Sequence, residues 1–454
     1  MTRRAGVAAP SILWFRRDLR LADQHALAAA AGEGAVLPVY VLDDETPSEF
    51  AIGAAQRWWL HHSLAALAAA LDGKLLLRRG RAADVVRALA AEVGAVSVHA
   101  TQLYEPWERA TEQALDDLVT FHEGETLVAP EQVTTKAGTP FKVYGAFWRA
   151  LAEQLPPREP IDAVEYSVAD LPAGDRLDDW ALRPTRPDWA KRFDEYATPG
   201  EAGALAQLDD FVDEAALYHE RRDRPSEEGT SRLSPHLHFG EISPRQIWRA
   251  LAPKGGAKFL KELAWRDFSR SALLAQPDLP LREGRAAMAL LPWRRGDEAD
   301  ADFLTWTKGL TGYPIVDAGM RQLWATGWMH NRVRMIAASF LVKHLLLDWR
   351  RGAAWFWDTL VDADLANNSL NWQWIAGTGT ASQGFERVMA PLLQSAKFDA
   401  ADYIRQWVPE LAQLGDDIIH DPPAARRGTY PDPLIGHREG RERALTALAR
   451  ARTS

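Results

Sequence analysis

Four short apolar runs near the N-terminus constrain the fold more than any other feature of the sequence. They lie at 11–16, 36–42, 74–78 and 95–99, and a helical pattern separates each run from the next. Strands that are apolar along their whole length are buried on both faces, and strands that alternate with helices form a parallel sheet. We therefore predict a doubly wound α/β domain over residues 1–130.

The usual nucleotide-binding motifs are absent from this predicted domain. No Gly-x-Gly-x-x-Gly follows the first apolar run, and there is no Walker-type lysine loop. The common fingerprints of dinucleotide and triphosphate binding are therefore missing. A ligand of such a domain is expected at the carboxyl ends of the strands. The last helix of the domain is predicted at about 106–119.

The character of the chain changes twice beyond residue 130. Scattered prolines predict a connector over residues 131–200; they are Pro156, Pro157, Pro160, Pro172, Pro184 and Pro187. An all-α domain is predicted over residues 201–454. Its helices are predicted at 201–220, 243–251, 256–275, 299–309, 313–326, 330–346, 352–361 and 399–407.

Composition narrows the class of protein. The 454 residues contain no cysteine, which excludes disulfides, thiolate nucleophiles, cysteine-ligated zinc and iron–sulfur clusters. No metal site is predicted. There is no apolar run of about 18 residues and no signal peptide, so we expect a cytoplasmic protein without a membrane span. The net charge of −9 argues only weakly against a nucleic-acid partner, because binding follows local patches of charge.

Tryptophan is unusually abundant in the second half of the chain. There are 19 tryptophans, and most of them lie in the predicted helical domain. The stretch 362–374 combines two acids, three asparagines and two indoles. These groups could bind and stack on a planar, polar heterocycle. The alternative is an irregular loop with capping Asp and Asn residues and two apolar anchors.

Three further stretches carry candidate binding residues. Hydroxyls and a glycine cluster at 228–235, just before a helix, where backbone N–H groups can hold phosphates; an ordinary N-cap is the alternative. At 262–270 a carboxylate, an indole and arginines share a helix side that could receive a nucleobase, or could be a solvated, salt-bridged face. At 327–335, Asn331, Arg334 and Met335 share one face, whereas His330 alone is typical of a structural histidine.

These motifs together resemble the DNA photolyase/cryptochrome flavoproteins, and the match runs nearly end to end. The N-terminal Trp-Phe-Arg-Arg-Asp-Leu-Arg-Leu at 14–21 resembles the first strand motif of that family. The stretches 229–235, 311–317, 327–332 and 362–374 resemble its flavin-domain motifs, in the same order. The resemblance implies an all-α C-terminal domain that binds FAD without a covalent bond.

The resemblance also implies roles for individual residues around FAD. The phosphates and the ribityl chain are expected to contact Tyr218, Thr230, Ser231, Arg232, Leu233 and Ser234. Asp362 is expected to pair with Arg334 beside the flavin ring, and Asp364 to bind its polar edge. Asn368 is expected to face flavin N5, where an amide adds no negative charge and suits the reduced cofactor.

The implied activity is light-driven repair of DNA. The excited, reduced flavin would donate an electron to a flipped-out cyclobutane pyrimidine dimer, whose ring opens before the electron returns. Glu262, Asn331, Met335 and Asn368 are expected at the reacting centre. Further residues expected to contact the lesion or the DNA are Trp265, Arg266, Arg332, Trp374, Arg387 and Gln394. Trp372, Trp349 and Trp293 match an electron-transfer chain that photoreduces FAD.

Finer properties follow from the same resemblance. Members that act on (6-4) photoproducts usually carry His-His where this chain reads His330-Asn331, so cyclobutane dimers are the expected substrate. The stretch 58–64 resembles the class III branch close to plant cryptochromes. The antenna is therefore expected to be 5,10-methenyltetrahydrofolate, with 8-hydroxy-5-deazaflavin as the alternative. Folate-binding members carry Asn-Glu where this chain reads Trp107-Glu108.

Two rival interpretations remain open. A cryptochrome that signals in response to blue light would share the fold and FAD, but Asn368 and the lesion-pocket residues favour repair. A flavoprotein that transfers electrons in the dark would explain the α/β domain but not the pocket residues. The family resemblance suggests a monomer whose partner is UV-damaged DNA.

Overall fold

The computed structural model describes residues 9–380, 382 and 384–453. The first part contains the parallel strands β1 (Ser11–Phe15), β2 (Val36–Leu42), β3 (Leu76–Arg79), β4 (Ser97–Thr101) and β5 (Val119–His122). They form one sheet in the order β3-β2-β1-β4-β5. Because the chain extends the sheet first on one side of β1 and then on the other, the topology is doubly wound, as predicted.

Helices cover both faces of this sheet. They are α1 (His25–Glu33), α2 (Ala54–Ala70), α3 (Ala82–Val93) and α4 (Pro106–Ala114). Leu13 and Phe15 of β1 pack in one core with α1 and α2, whereas Ile12 and Trp14 pack in a second core with α3. Successive side chains of a strand point to opposite faces. The continuous apolar run of β1 therefore reflects burial on both sides.

The end of this domain differs from the single helix predicted at 106–119. α4 ends at Ala114, and Val119–His122 forms the edge strand β5 beside β4. The β-branched and aromatic residues of this segment favour a strand. Four residues nevertheless carry too little periodicity to be distinguished from the end of a helix.

Part of the predicted connector belongs to the core. α5 (Tyr144–Ala152) lies within residues 131–200 and buries Phe147 and Leu151. The ring of Phe147 lies 5.4 Å from that of Phe268 in the helical domain. The prolines of this region therefore flank a packed helix rather than marking a connector that lies wholly on the surface.

The rest of the chain is helical, as predicted. The helices are α6 (Glu201–Val212), α7 (Tyr218–Arg221), α8 (Ser234–His238), α9 (Pro244–Leu251), α10 (Ala257–Ala275), α11 (Asp297–Thr307), α12 (Pro314–Thr326), α13 (Asn331–Ser339), α14 (Trp349–Thr359), α15 (Leu365–Ala376), α16 (Pro391–Lys397), α17 (Ala401–Trp407), α18 (Asp416–Ile419) and α19 (His437–Thr453). α13 continues into a π-helical turn, Phe340–His344. The helix predicted at 201–220 is interrupted between α6 and α7. The helices α15, α16, α18 and α19 were not predicted.

The two domains meet with their backbones in close contact. Gly53, at the start of α2, packs against α14, and a Cβ added to Gly53 would lie 2.6 Å from Cα of Asp358. Asp358 accepts a hydrogen bond from the backbone N–H of Ala54 at 2.9 Å, and Gln56 donates to the carbonyl of Trp357 at 3.0 Å. We call this contact of α2 with α14 the domain seam.

Candidate functional site

The loop that precedes α8 carries a cluster of hydroxyl groups. A Cβ added to Gly229 would lie 2.9 Å from backbone atoms of Arg221, so only glycine fits there. Ser234 is exposed although Leu233 and Pro235 on either side are buried, and its hydroxyl donates to Asp362 Oδ2 at 2.6 Å. Of the hydroxyls predicted to hold phosphates, that of Ser234 is therefore exposed and that of Thr230 partly exposed, whereas Ser231 is buried.

Arg334 and Asp362 form the predicted ion pair. The guanidinium of Arg334 donates to both carboxylate oxygens of Asp362, at 3.1 and 2.8 Å. Its Nε donates to the carbonyl of Met329 at 2.7 Å, which fixes the plane of the guanidinium. A bidentate pair of this kind is strong and geometrically specific. Asp362 thereby joins the hydroxyl loop at Ser234 to α13.

The stretch 362–374 is mostly a helix, α15, with one polar and accessible face. Asp364 is its N-cap, and Oδ1 of Asp364 accepts from the backbone N–H of Asn367 at 2.8 Å. Asn367, Asn368, Asn371 and Trp374 are at least partly exposed, whereas their helix neighbours are largely buried. Residues at this spacing share one side of a helix. Capping and ligand binding, the two interpretations of this stretch, are thus compatible.

Tyr218 lies at the edge of the same region, on α7. Its ring makes an edge contact with Phe259 at 5.2 Å, and the guanidinium of Arg222 lies 5.4 Å from its centroid. Burial raises the pKa of Tyr218 to about 12, so its phenol stays protonated and can donate a hydrogen bond. Arg232 has a left-handed backbone, with φ of 50°, and its guanidinium lies 4.8 Å from the ring centroid of Trp328.

The donor set of this region fits FAD. Three hydroxyls, of Thr230, Ser231 and Ser234, suit the phosphates and the ribityl chain. The Arg334–Asp362 pair and the amide face of α15 suit the polar heteroatoms of a flavin ring. All of these groups belong to the helical domain, and Asp362 connects Ser234 to Arg334.

The three predicted electron-transfer tryptophans belong to one core, graded from interior to surface. Trp372 and Trp349 are buried, and the half-buried Trp293 packs against the same cluster. Trp372 lies against α14 at Gly352, one turn from Trp349. The ring of Trp306 also lies 6.4 Å from that of Trp372, a contact that the sequence did not reveal.

Glu262 is held in an ion-pair network that sequence reasoning missed in part. Its Oε1 accepts from Arg222 and lies 2.8 Å from Nζ of Lys258. Asp223 lies 2.8 Å from Arg332 Nη2 and 3.6 Å from Arg222 Nε. The structure thus joins Glu262 and Arg332, both predicted site residues, through Arg222 and Asp223. The adjacent charges Arg222-Asp223, four residues after Tyr218, were the available signal.

The aromatic and polar residues of the predicted lesion pocket are accessible to different degrees. One face of Trp265 stacks on Tyr144, with ring centroids 3.8 Å apart. Asn331 is exposed at the first turn of α13, and Met335 follows one turn later, partly buried. Trp374 on α15 is partly exposed. Tyr144 therefore covers one face of the Trp265 indole.

The predicted DNA-contacting arginines have different environments. Arg266 points to the domain junction, where its guanidinium donates to the carbonyls of Glu125 at 3.4 Å and Leu237 at 3.1 Å. Arg266 is only partly buried, and its assignment to a DNA phosphate or to the pocket rim stays a prediction. Arg332 lies over the ring of Phe398 at 4.3 Å. Arg387 is exposed and Gln394 is partly buried on α16.

His330 is the N-cap of α13, as its interpretation as a structural histidine predicts. Its ring Nδ1 accepts from the backbone N–H of Arg332 at 3.2 Å. The backbone N–H of His330 donates to Oε1 of Gln322 at 3.2 Å. Burial lowers the pKa of His330 to about 4. The ring is therefore neutral near pH 7 and can accept the hydrogen bond that starts the helix.

A cavity adjoins the hydroxyl loop, whose residues Thr230 and Arg232 form part of its lining. It has a volume of about 1250 Å³ and is lined by aromatic, charged and hydroxyl side chains, among them Trp59, Tyr196, Phe211, Thr230, His236 and Trp328. Trp59 Nε1 donates to Glu241 at 2.9 Å, and His236 pairs with the same carboxylate. The wall that carries Trp59 and His236 is therefore fixed.

Two negative findings concern the described part of the chain. It contains no group of three or more His, Asp or Glu residues that could hold a metal ion. Its helices include none that is both long and apolar enough to cross a membrane.

The sequence and the fold are similar to those of known proteins. The family described as DNA photolyase matches residues 11–165, and the FAD binding domain of DNA photolyase matches residues 259–450. The deoxyribodipyrimidine photo-lyase of Agrobacterium fabrum is 46% identical over 97% of this chain and 98% of its own length. Cryptochrome-1 of Arabidopsis thaliana is 34% identical over 97% of this chain and 70% of its own length.

A solved structure agrees with these sequence matches. The crystal structure of a bacterial class III photolyase from Agrobacterium tumefaciens superposes with a TM-score of 0.92 at 44% identity. The superposition covers 100% of this chain and 99% of that one. The similarity thus extends over both domains.

Proposed function

Because the chain belongs to the DNA photolyase/cryptochrome family, we propose that it is a deoxyribodipyrimidine photo-lyase that repairs cyclobutane pyrimidine dimers in DNA. FAD, when bound and reduced, supplies the light absorption and the electron that splits the dimer. The observation that carries the proposal is the accessible polar face of α15, on which Asn368 provides an amide and not an acid. An amide at this position keeps a negative charge away from the cofactor.

The chain's own residues bind and orient the cofactor. The hydroxyls of Thr230, Ser231 and Ser234 bind the phosphates, and Tyr218 donates from its protonated phenol. Arg334 and Asp362 lie beside the ring, and Asp364 accepts from its polar edge. Arg232 and Leu233 complete the loop by shaping its backbone.

The lesion pocket lies where Glu262 meets α13 and α15. Both cations that pair with Glu262 contact Oε1, which leaves Oε2 to accept a hydrogen bond from the pyrimidine edge. Trp265 and Trp374 pack on the dimer, and Asn331 and Met335 line the pocket. Further contacts to the DNA come from Arg332, Arg387 and Gln394. Phosphate contacts of this kind make binding weaken as salt rises.

Two further assignments belong to the same proposal. Electrons pass from Trp293 at the protein surface to Trp349, then to Trp372, and from there to the cofactor. The antenna, a methenyl-folate or alternatively a deazaflavin, binds to the α/β domain over residues 1–130.

The first test is repair by purified, FAD-loaded protein. The protein is reduced with dithionite without oxygen, mixed with an oligonucleotide that contains one thymine dimer, and illuminated with near-ultraviolet to blue light. We expect the DNA absorbance to recover in the light and not in the dark. If the cofactor photoreduces but no dimer is split, the protein is a signalling cryptochrome instead.

Glu262→Ala tests the pocket in the same assay. Loss of a hydrogen bond to a charged group costs about 1.5–3 kcal/mol, so lesion binding should weaken by about 10- to 100-fold. The control is Glu153→Ala, which removes an exposed carboxylate next to the end of α5 and should change nothing. Equal loss in both variants would refute the pocket assignment.

A further inference from the structure

Five charged side chains form a continuous chain of contacts across the domain junction. Arg270 Nη2 lies 2.7 Å from Asp364 Oδ2 and 2.6 Å from Glu125 Oε1. Glu125 Oε1 lies 3.4 Å from Arg17 Nη2, which also donates to Oε2 of Glu105. We call these five residues the interdomain charge chain.

The topology of the sheet explains how these residues meet. Arg17 follows β1, Glu105 follows β4 and Glu125 follows β5. These three strands are neighbours and parallel, so their carboxyl ends meet at one edge of the sheet. Arg270 comes from α10, and Asp364 is the N-cap of α15. The edge where a doubly wound domain usually binds its own ligand thus faces the helical domain.

Burial makes the charges interdependent. The side chains of Asp364, Arg270, Glu125 and Glu105 are at most 7% exposed, and that of Arg17 is 19% exposed. A buried ion is tolerated only when it is paired, and removal of one partner leaves the next charge uncompensated. Although burial opposes ionisation of Asp364, Arg270 and Arg17 hold its pKa below the usual range. Arg17 therefore acts on Asp364 from the other domain.

We propose that Glu125 and Arg17 are positioning residues of the α/β domain that set, through Arg270, the charge at the polar edge of FAD. The inference rests on the proposed function, which places that edge at Asp364. The carboxylate of Asp364 is fixed on both sides, because Oδ1 accepts from the backbone N–H and the amide of Asn367 while Oδ2 accepts from Arg270. The reduction potential of the bound cofactor is therefore tuned by the first domain.

The neighbouring residue Arg16 provides a matched control. Its guanidinium pairs with Glu108 and Glu112 on α4, at 2.5 and 2.6 Å, and stays within the α/β domain. The side chain of Glu112 is 7% exposed, as buried as that of Asp364. Glu112→Gln thus breaks the same kind of buried ion pair at a place that the charge chain does not reach.

The decisive measurement is the midpoint potential of FAD in the loaded protein. The absorption spectrum of the flavin reports its redox state during the titration. Arg17→Gln removes a positive charge and should make the potential more negative, whereas Glu125→Gln removes a negative charge and should make it more positive. Arg17→Lys keeps the charge and should stay close to the parent, and Glu112→Gln should not shift it. Damage to packing alone would not give shifts of opposite sign.

The proposal is overturned by shifts of the same sign in Arg17→Gln and Glu125→Gln, by no shift in either, or by an equal shift in Glu112→Gln. If Glu125→Gln does not fold, the pair Arg17→Gln and Arg17→Lys decides, because Arg17 is the most exposed of the five. Asp364→Asn distinguishes an error in the proposed position of FAD from an error in the interdomain charge chain. No shift in Asp364→Asn means that FAD does not lie at Asp364, whereas a shift there without one at Arg17 refutes the charge chain alone.

Discussion

The side-chain amide of Asn368 lies on the polar face of α15. Its Nδ2 donates to the carbonyl of Ala353 at 3.0 Å, which holds the amide against α14. Asn368→Asp would place a negative charge where an electron has to be stored, and we expect repair per absorbed photon to fall by about tenfold or more, one pKa unit of interaction being a factor of ten.

The control for this prediction is Asn371→Asp, which adds the same charge one turn further along the same face, at an exposed residue. Its repair yield should stay near that of the parent protein. Equal losses at both positions would mean that Asn368 has no special place beside the cofactor. Photon counting with a chemically reduced sample measures the yield directly.

The helices α14 and α15 are in close contact at Gly352 of α14. A Cβ added there would lie 2.6 Å from Cδ2 of Leu341 and closer still to the ring of Trp372. Gly352→Ala should therefore force the two helices apart, cost about 1–3 kcal/mol of unfolding free energy, and slow photoreduction by displacing Trp372.

Gly145→Ala in α5 is the matched substitution, because a Cβ at that position meets no atom within 4 Å. It should leave the unfolding free energy unchanged or raise it by up to about 1 kcal/mol. Urea unfolding of both variants gives the comparison. A Gly352→Ala protein as stable as Gly145→Ala would show that the contact with Trp372 relaxes at no cost.

How much could be predicted from the sequence depends on the kind of element. The apolar strands were predicted because both of their faces are buried, and the amphipathic helices because one face of each is buried. α15 was not predicted as a helix, since its accessible face carries amides and its buried face includes Ser369 and Gln373. β5 was missed because it is short. The ion pair of Arg17 with Glu125 joins distant parts of the chain, and no local sequence pattern predicts it.

For the whole molecule, we predict that the unfolding free energy falls in acid, because several histidines are buried. Burial lowers the pKa of His330 to about 4 and those of His238 and His344 to about 3, from 6.5. As the pH falls from about 6.5 towards 4, the unfolded chain binds protons that the folded chain does not. The unfolding free energy should therefore fall, by up to about 1.4 kcal/mol per pH unit for each histidine.

His330→Asn tests this dependence, because asparagine is a good N-cap but does not titrate. Between pH 5 and 6 its unfolding free energy should vary less steeply than that of the parent, by up to about 1.4 kcal/mol per pH unit. The exposed His219 serves as the control, and His219→Asn should keep the parent slope. Urea unfolding at fixed excess FAD is the measurement, since the ligand itself adds stability. An unchanged slope in His330→Asn would contradict the assignment.

The domain seam has a consequence for recombination between relatives. At Gly53 the backbone of one domain lies directly on that of the other, so a methyl group added to Gly53 would force α14 to move. A chimera that takes its first domain from one relative must also take the matching surface of α14 from that relative. Exchange of the first domain alone would break this backbone contact.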